Sequence, residues 1–186
     1  DEKSAEVSLL QEITAGIAAA GDAGAVLQFI AEIAVRVTGT DSSSIYVFDQ
    51  TRKNLVLKAV HEAPFGLVGR LSLKIGEGIT GWVARELHPV VLEREAFNDP
   101  RFKKLPDLRD QQCHSFISVP MLAQGEVIGV LNVKSNQPLA FPPPSVTLLQ
   151  SVAVQAAAAI QGMRLQESMT VQSTQLSAIS EVSKTI

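Results

Sequence analysis

The sequence is poor in the residues that carry covalent or metal-centred chemistry. Its one cysteine, Cys113, excludes a disulfide within the chain and any multi-cysteine zinc site. The three histidines, His61, His88 and His114, have no metal-ligand spacing to one another or to Cys113. No unbroken apolar run reaches the ~18–20 residues a membrane span needs. The best stretch, Ser151 to Ile160, contains Gln155 and stops at Gln161. Charge of one sign is also lacking, with 16 basic against 19 acidic residues and a net charge of −3. Neither nucleic acid nor a membrane is therefore expected as a direct partner, and the cytosol is the simplest location. The chain opens on Asp1 rather than Met and shows no signal peptide, so it reads as a piece of a longer protein. What is present is apolar mass: 46% of 186 residues, enough for one domain with a full core and too much for a disordered chain.

The two ends read as helices. Leu10, Ile13, Ile17 and Ala20 fall on one helix face, and so do Val26, Ile30, Ile33 and Val37, with Gly39 as the stop. At the other end, Pro142–Pro144 mark a start, and no further proline occurs through Ile186. A heptad seam runs through Leu165, Met169, Gln172, Leu176, Ile179, Ser183 and Ile186. Its apolar members need a partner, most simply the same helix of a second copy. For Leu148 to Met163, cover over the domain's own sheet is the expected use. Gln11–Ile17 resembles Ser180–Ile186, one domain's length apart, and suggests that a second, similar domain follows.

The middle alternates with period two. Ser43–Asp49 puts Tyr46 and Phe48 on one face and Ile45 and Val47 on the other. Asn54–His61 sets Leu55, Leu57 and Ala59 against Val56, Lys58 and Val60. Further strands are expected at Leu71–Ile75, Val90–Glu93, Ser115–Leu122 and Glu126–Lys134, with a bulge or unpaired position near Pro120. A short helix is expected over Gly78–Leu87. Arg94–His114 shows no periodicity and is rich in charge (Asp99, Arg101, Lys103, Lys104, Asp107, Arg109 and Asp110 among others). A connection that long is commonly a lid or binding loop.

Two motifs resemble active sites without the required context. Gly76-Glu77-Gly78-Ile79-Thr80-Gly81 matches the dinucleotide fingerprint, but the helix after it is too short to cross over to a parallel strand. Its glycines instead permit a tight strand-to-helix turn, whose exposed amides could hold an anionic or carbonyl group. Cys113 and His114 are chain neighbours, which on an extended strand point to opposite faces, so they make no nucleophile–base pair. Cys113 reads as a plain thiol, with redox sensing or cofactor attachment as the alternatives. No constellation of residues reads as catalytic.

Four segments in order resemble a GAF domain: Gly76–Ala84, Asn98–Phe102, Ser115–Pro120 and Gly125–Leu131. The resemblance spans roughly Ala25 to Leu165. It implies an α+β fold with a central antiparallel sheet of about six strands. The N- and C-terminal helices would lie on one face, and a short helix and long loop would form a small-molecule pocket on the other. The implied division is a helix over 1–22, the GAF domain over 23–165 and a linker helix over 166–186.

Carried over position by position, the pocket would draw on Ser44, Tyr46 and Phe48, on His61 and Glu62, and on Ile79, Thr80 and Trp82. Phe97, Asn98, Asp99 and Phe102 would come from the long loop, and Phe116, Ser118 and Asn132 from the last two strands. Ordinary core packing is the other reading for each aromatic, and a loop ion pair or helix cap for Asp99 with Arg101. Leu165, Met169, Leu176, Ile179 and Ile186 would pair two copies. The ligand itself stays unidentified. The cyclic-nucleotide pattern of the family is replaced here by Lys134-Ser135 and Phe141–Ser145, and one cysteine cannot run the exchange of the family's sulfoxide reductases. The resemblance thus implies a non-enzymatic sensor in a signalling protein, followed by a downstream signalling domain. A ligand-free spacer, or a bilin or haem carrier using Cys113 or a histidine, are the alternatives.

Overall fold

The computed structural model describes residues 2–62, 65–105 and 113–184. Ile186 of the heptad seam, and Asp107, Arg109 and Asp110 of the charged connection, lie outside those residues. Two helices open the chain, α1 (Glu2–Ala19) and α2 (Ala23–Thr38). The turn between them ends at Asp22, whose carboxylate accepts from the Ala25 N–H at 2.8 Å and caps α2. At the far end Gly39 takes φ 67° and returns its N–H to the Val35 carbonyl. The two helices cross closely at Gly16, where a Cβ would come within 2.1 Å of the Phe29 ring.

Six strands follow: β1 (Ser42–Phe48), β2 (Asn54–His61), β3 (Ser72–Lys74), β4 (Val90–Leu92), β5 (Ser115–Ala123) and β6 (Glu126–Ser135). They form one antiparallel sheet in the order β3-β2-β1-β6-β5-β4. Helix α3 (Gly78–Glu86) joins β3 to β4, and α4 (Pro143–Lys184) closes the chain. Every pair of neighbouring strands is antiparallel, so α3 is no crossover between parallel strands.

The sheet separates two cores. On one face α1, α2 and α4 bury Ile13, Ile30, Leu149, Val152 and Ala156 against Ile45, Ile117 and Leu131. On the other, α3 packs Ile79 and Val83 against Tyr46, Phe48, Leu57, Phe116 and Val130. Tyr46 with Phe48 therefore share the α3 side, as their spacing predicts. The alternation read for β2 needs correction. Ile45 pairs with Ala59, but Tyr46 pairs with Leu57, so Lys58 is an extra residue that bulges out. Past the bulge the faces exchange: Val60 joins Leu55 and Leu57 in the α3-side core, and Ala59 turns to the other helices. The irregularity expected near Pro120 is a second bulge, on the facing strand: Met121 pairs with Gly129 and Leu122 with Val127, leaving Ile128 over.

Helix α4 runs for 42 residues. Up to Ile160 its apolar stripe covers the sheet, the use expected for Leu148–Met163. Arg164 then donates to the Phe48 carbonyl at 2.9 Å, and residues 165–183 are exposed. By length and composition α4 is apolar enough to cross a membrane, with a mean hydropathy of 1.3 over its best window. Core helices of water-soluble domains meet the same criterion, and the first part of α4 packs on the sheet.

Candidate functional site

Strands β1, β6 and β5 present Ser44, Tyr46, Asn132 and Phe116 toward α3, because alternate side chains of each strand share a face. Helix α3 is set onto them by the glycine turn before it. Gly76 and Gly78 take φ 82° and 67°, and a Cβ at Gly81 would come within 2.5 Å of the Lys74 carbonyl oxygen. The three glycines of the fingerprint thus close a turn and let the helix sit against β3. Between α3 and the sheet lies a cavity of about 50 Å³. Its third wall is the segment after β4, which brings Phe102, Lys103 and Leu105.

Of the pocket residues expected from the sequence, Ser44, Tyr46, Ile79, Thr80, Phe102, Phe116 and Asn132 come together around this cavity. Phe102 meets Phe116 edge to face, with ring centroids 6.1 Å apart. Ser118 stands one layer behind, donating to Asn132 Oδ1 at 2.6 Å. The others stand apart from the cavity lining. Phe48 lies deeper in the same core, beneath the Arg52 guanidinium. His61 and Glu62 follow the end of β2, where Glu62 takes the left-handed region at φ 58°. Phe97 packs edge-on against the His114 ring, and Asn98 ends a short 3-10 turn.

Asp99 and Trp82 brace the cavity wall from outside. The Asp99 carboxylate accepts from Arg101 Nε and Nη2 at 2.9 and 2.8 Å, and that guanidinium lies 4.7 Å from the Trp82 ring centre. Next along the chain, Lys103 pairs with Glu77, whose other oxygen accepts from the Lys74 N–H. The Arg101 hydrogen bond holds the Asp99 carboxyl below the usual range, and the Lys103 hydrogen bond does the same for Glu77. Both pairs therefore hold at neutral pH. Their contribution is lost as the pH falls through those depressed values. Together they strap residues 99–103 to α3.

Sequence reasoning missed Val60, Leu73, Gly78, Lys103, Leu105 and Lys134 as lining residues. Val60 was hidden by the β2 bulge. Lys103 carried no such signal, since its partner Glu77 lies 26 residues away in sequence. Cys113 is buried in the α3-side core away from the cavity lining. No group of three or more potential metal ligands occurs among the described residues.

Comparison with known proteins places this geometry. The family profile described as a GAF domain matches residues 20–161. The phosphoenolpyruvate-dependent phosphotransferase system protein of Escherichia coli K12 is 26% identical over 118 residues, which are 63% of this chain and 16% of that protein. The chain thus spans about a sixth of that relative's length. The solved GAF domain of a phosphoenolpyruvate-protein phosphotransferase (ptsP) from Coxiella burnetii is 26% identical, with TM-score 0.80, covering 88% of this chain and 96% of that one. The corresponding Acinetobacter GAF domain has the same fold at 24% identity and TM-score 0.77, covering 88% and 97%.

Proposed function

The chain belongs to the GAF domain family, and from that premise we propose that it is a small-molecule-sensing regulatory module of a signal-transduction protein. Ligand state would pass through a dimeric C-terminal helix to a downstream domain. The observation that carries the reading is the cavity under α3, walled by a strapped segment and floored by hydrogen-bonding side chains. Its present volume of about 50 Å³ suits water or a few heavy atoms. A metabolite larger than that enters by outward movement of residues 102–105, against the Asp99–Arg101 and Glu77–Lys103 pairs. The phosphotransferase relatives support an output in phosphoryl transfer, and a cytoplasmic location suits it.

A metabolite screen by thermal shift tests the sensor. Compounds that bind only the folded chain raise its midpoint, and the shift should vanish in Ser44→Val, which fills the cavity on a strand that favours branched residues. Hits untouched by Ser44→Val, or no hits at all, would leave the ligand-free spacer.

Pairing of two α4 helices is the second part of the proposal. Leu165, Met169, Leu176 and Ile179 are 59–71% exposed in the single chain and recur at coiled-coil spacing. Sedimentation of the full chain should report a dimer, and Met169→Glu with Leu176→Glu should report a folded monomer. A dimer persisting in the double variant would move the interface elsewhere.

A further inference from the structure

The hydrogen bonds around Asn132 leave donors over. Ser118 Oγ lies 2.6 Å from Asn132 Oδ1, a separation typical of O–H···O and short for N–H···O. The amide oxygen therefore faces Ser118, and the amide nitrogen faces the cavity. Its two protons go to Thr80 Oγ1 at 3.0 Å and Ser44 Oγ at 3.4 Å. Each hydroxyl thus acts as an acceptor and keeps its own proton to give. Among the described residues neither proton has an acceptor. Thr80 is only 6% exposed, so bulk water does not serve it.

Backbone donors converge on the same place. Helix α3 begins at Gly78, and the Glu77 side chain does not cap it, being held by Lys74 and Lys103 instead. The N–H groups of Gly78, Ile79 and Thr80 have no carbonyl partner among the described residues. Lys103 and Lys134 also line the cavity, Lys103 as the partner of Glu77.

We infer that the cavity takes the carboxylate end of a small organic acid, whose oxygens accept from the Thr80 and Ser44 hydroxyls and from the first N–H groups of α3. This rests on the sensor reading above and adds the chemical class of its ligand. The volume of about 50 Å³ accommodates a carboxylate with a few further atoms and excludes a nucleotide or tetrapyrrole without rearrangement.

The test uses acetate and pyruvate against their methyl esters, with nitrate, inorganic phosphate and cyclic AMP alongside. The full chain is followed by thermal shift and by 1H–15N spectra. The free acids should raise the midpoint and move the amide signals of Gly78, Ile79 and Thr80, while the esters do neither. Thr80→Val, which removes one donor without changing shape, should weaken pyruvate about tenfold, and Thr80→Ser should restore it. Several outcomes overturn the inference and leave the sensor standing. These are esters binding as well as acids, acids moving other amides only, nitrate or phosphate binding to the exclusion of the acids, or cyclic AMP alone binding in a manner lost in Ser44→Val. If no probe here and no compound of the wider screen binds, both readings fall.

Discussion

Gly129→Ala is expected to cost about 3 kcal/mol of stability or more, a loss at the severe end for one methyl group. Gly129 lies on β6, the strand between β1 and β5, opposite Val47 on one side and Met121 on the other. A Cβ there would stand 2.1 Å from the Tyr46 carbonyl oxygen, 2.7 Å from Met121 Cε and 3.0 Å from Val47 Cα. The methionine can swing aside, but the other two atoms are backbone. Relief requires β1 and β6 to part, in the middle of the sheet and beside the Ile128 bulge. For a chain of this length the thermal midpoint should fall by roughly 6–12 °C. Gly162→Ala is the internal control. That glycine is in α4, where an added Cβ would have nothing within 4 Å, so alanine should stabilise by about 0.5–1 kcal/mol. A Gly129→Ala protein within about 0.5 kcal/mol of the parent, as measured by denaturant titration, would mean that the two strands do not approach as described.

Asn132→Leu should cost about 3 kcal/mol for a different reason. Leucine keeps the branched outline and the number of heavy atoms, and its bulkier methyl groups add some overpacking to the cost. What is lost is the only described partner of the Thr80 and Ser118 hydroxyls, which are 6% and 0% exposed. Orphaned polar groups in such a place cost more than the bonds were worth in the intact protein. The arithmetic can be checked by repairing the damage. Asn132→Leu with Ser118→Ala and Thr80→Val removes the orphans together and should recover at least half of the loss. If the triple variant is as unstable as the sum of the three single ones, the network account is wrong.

Much of the architecture was readable from periodicity alone. The helical ends, the six strand positions and the shared face of Tyr46 and Phe48 all follow from spacings of 3.6 and 2. The exchange of faces in β2 was not readable. Lys58 bulges without a glycine or proline to announce it, and an added residue shifts every later side chain to the opposite face. Pro120 did announce an irregularity, but the extra residue stands on the partner strand at Ile128. At the site, residues on regular strands and on α3 were found by alternation and by resemblance. Those from the charged connection were harder, since no local rule connects Lys103 with Glu77, 26 residues away. The hydrogen-bond saturation of Asn132 was beyond sequence altogether, because it depends on four side chains from four separate elements meeting within bonding distance.

In the sensor proposed above, the bond between Arg164 and the Phe48 carbonyl would make α4 a lever with its fulcrum on β1. Tyr46, two residues earlier on that strand, lines the cavity. Beyond the fulcrum about 20 residues extend for about 30 Å, so a tilt of about 5° there displaces the far end by roughly 2.6 Å. In that sensor a shift too small to see at the cavity would become, at the tip, a displacement comparable to half a helical turn.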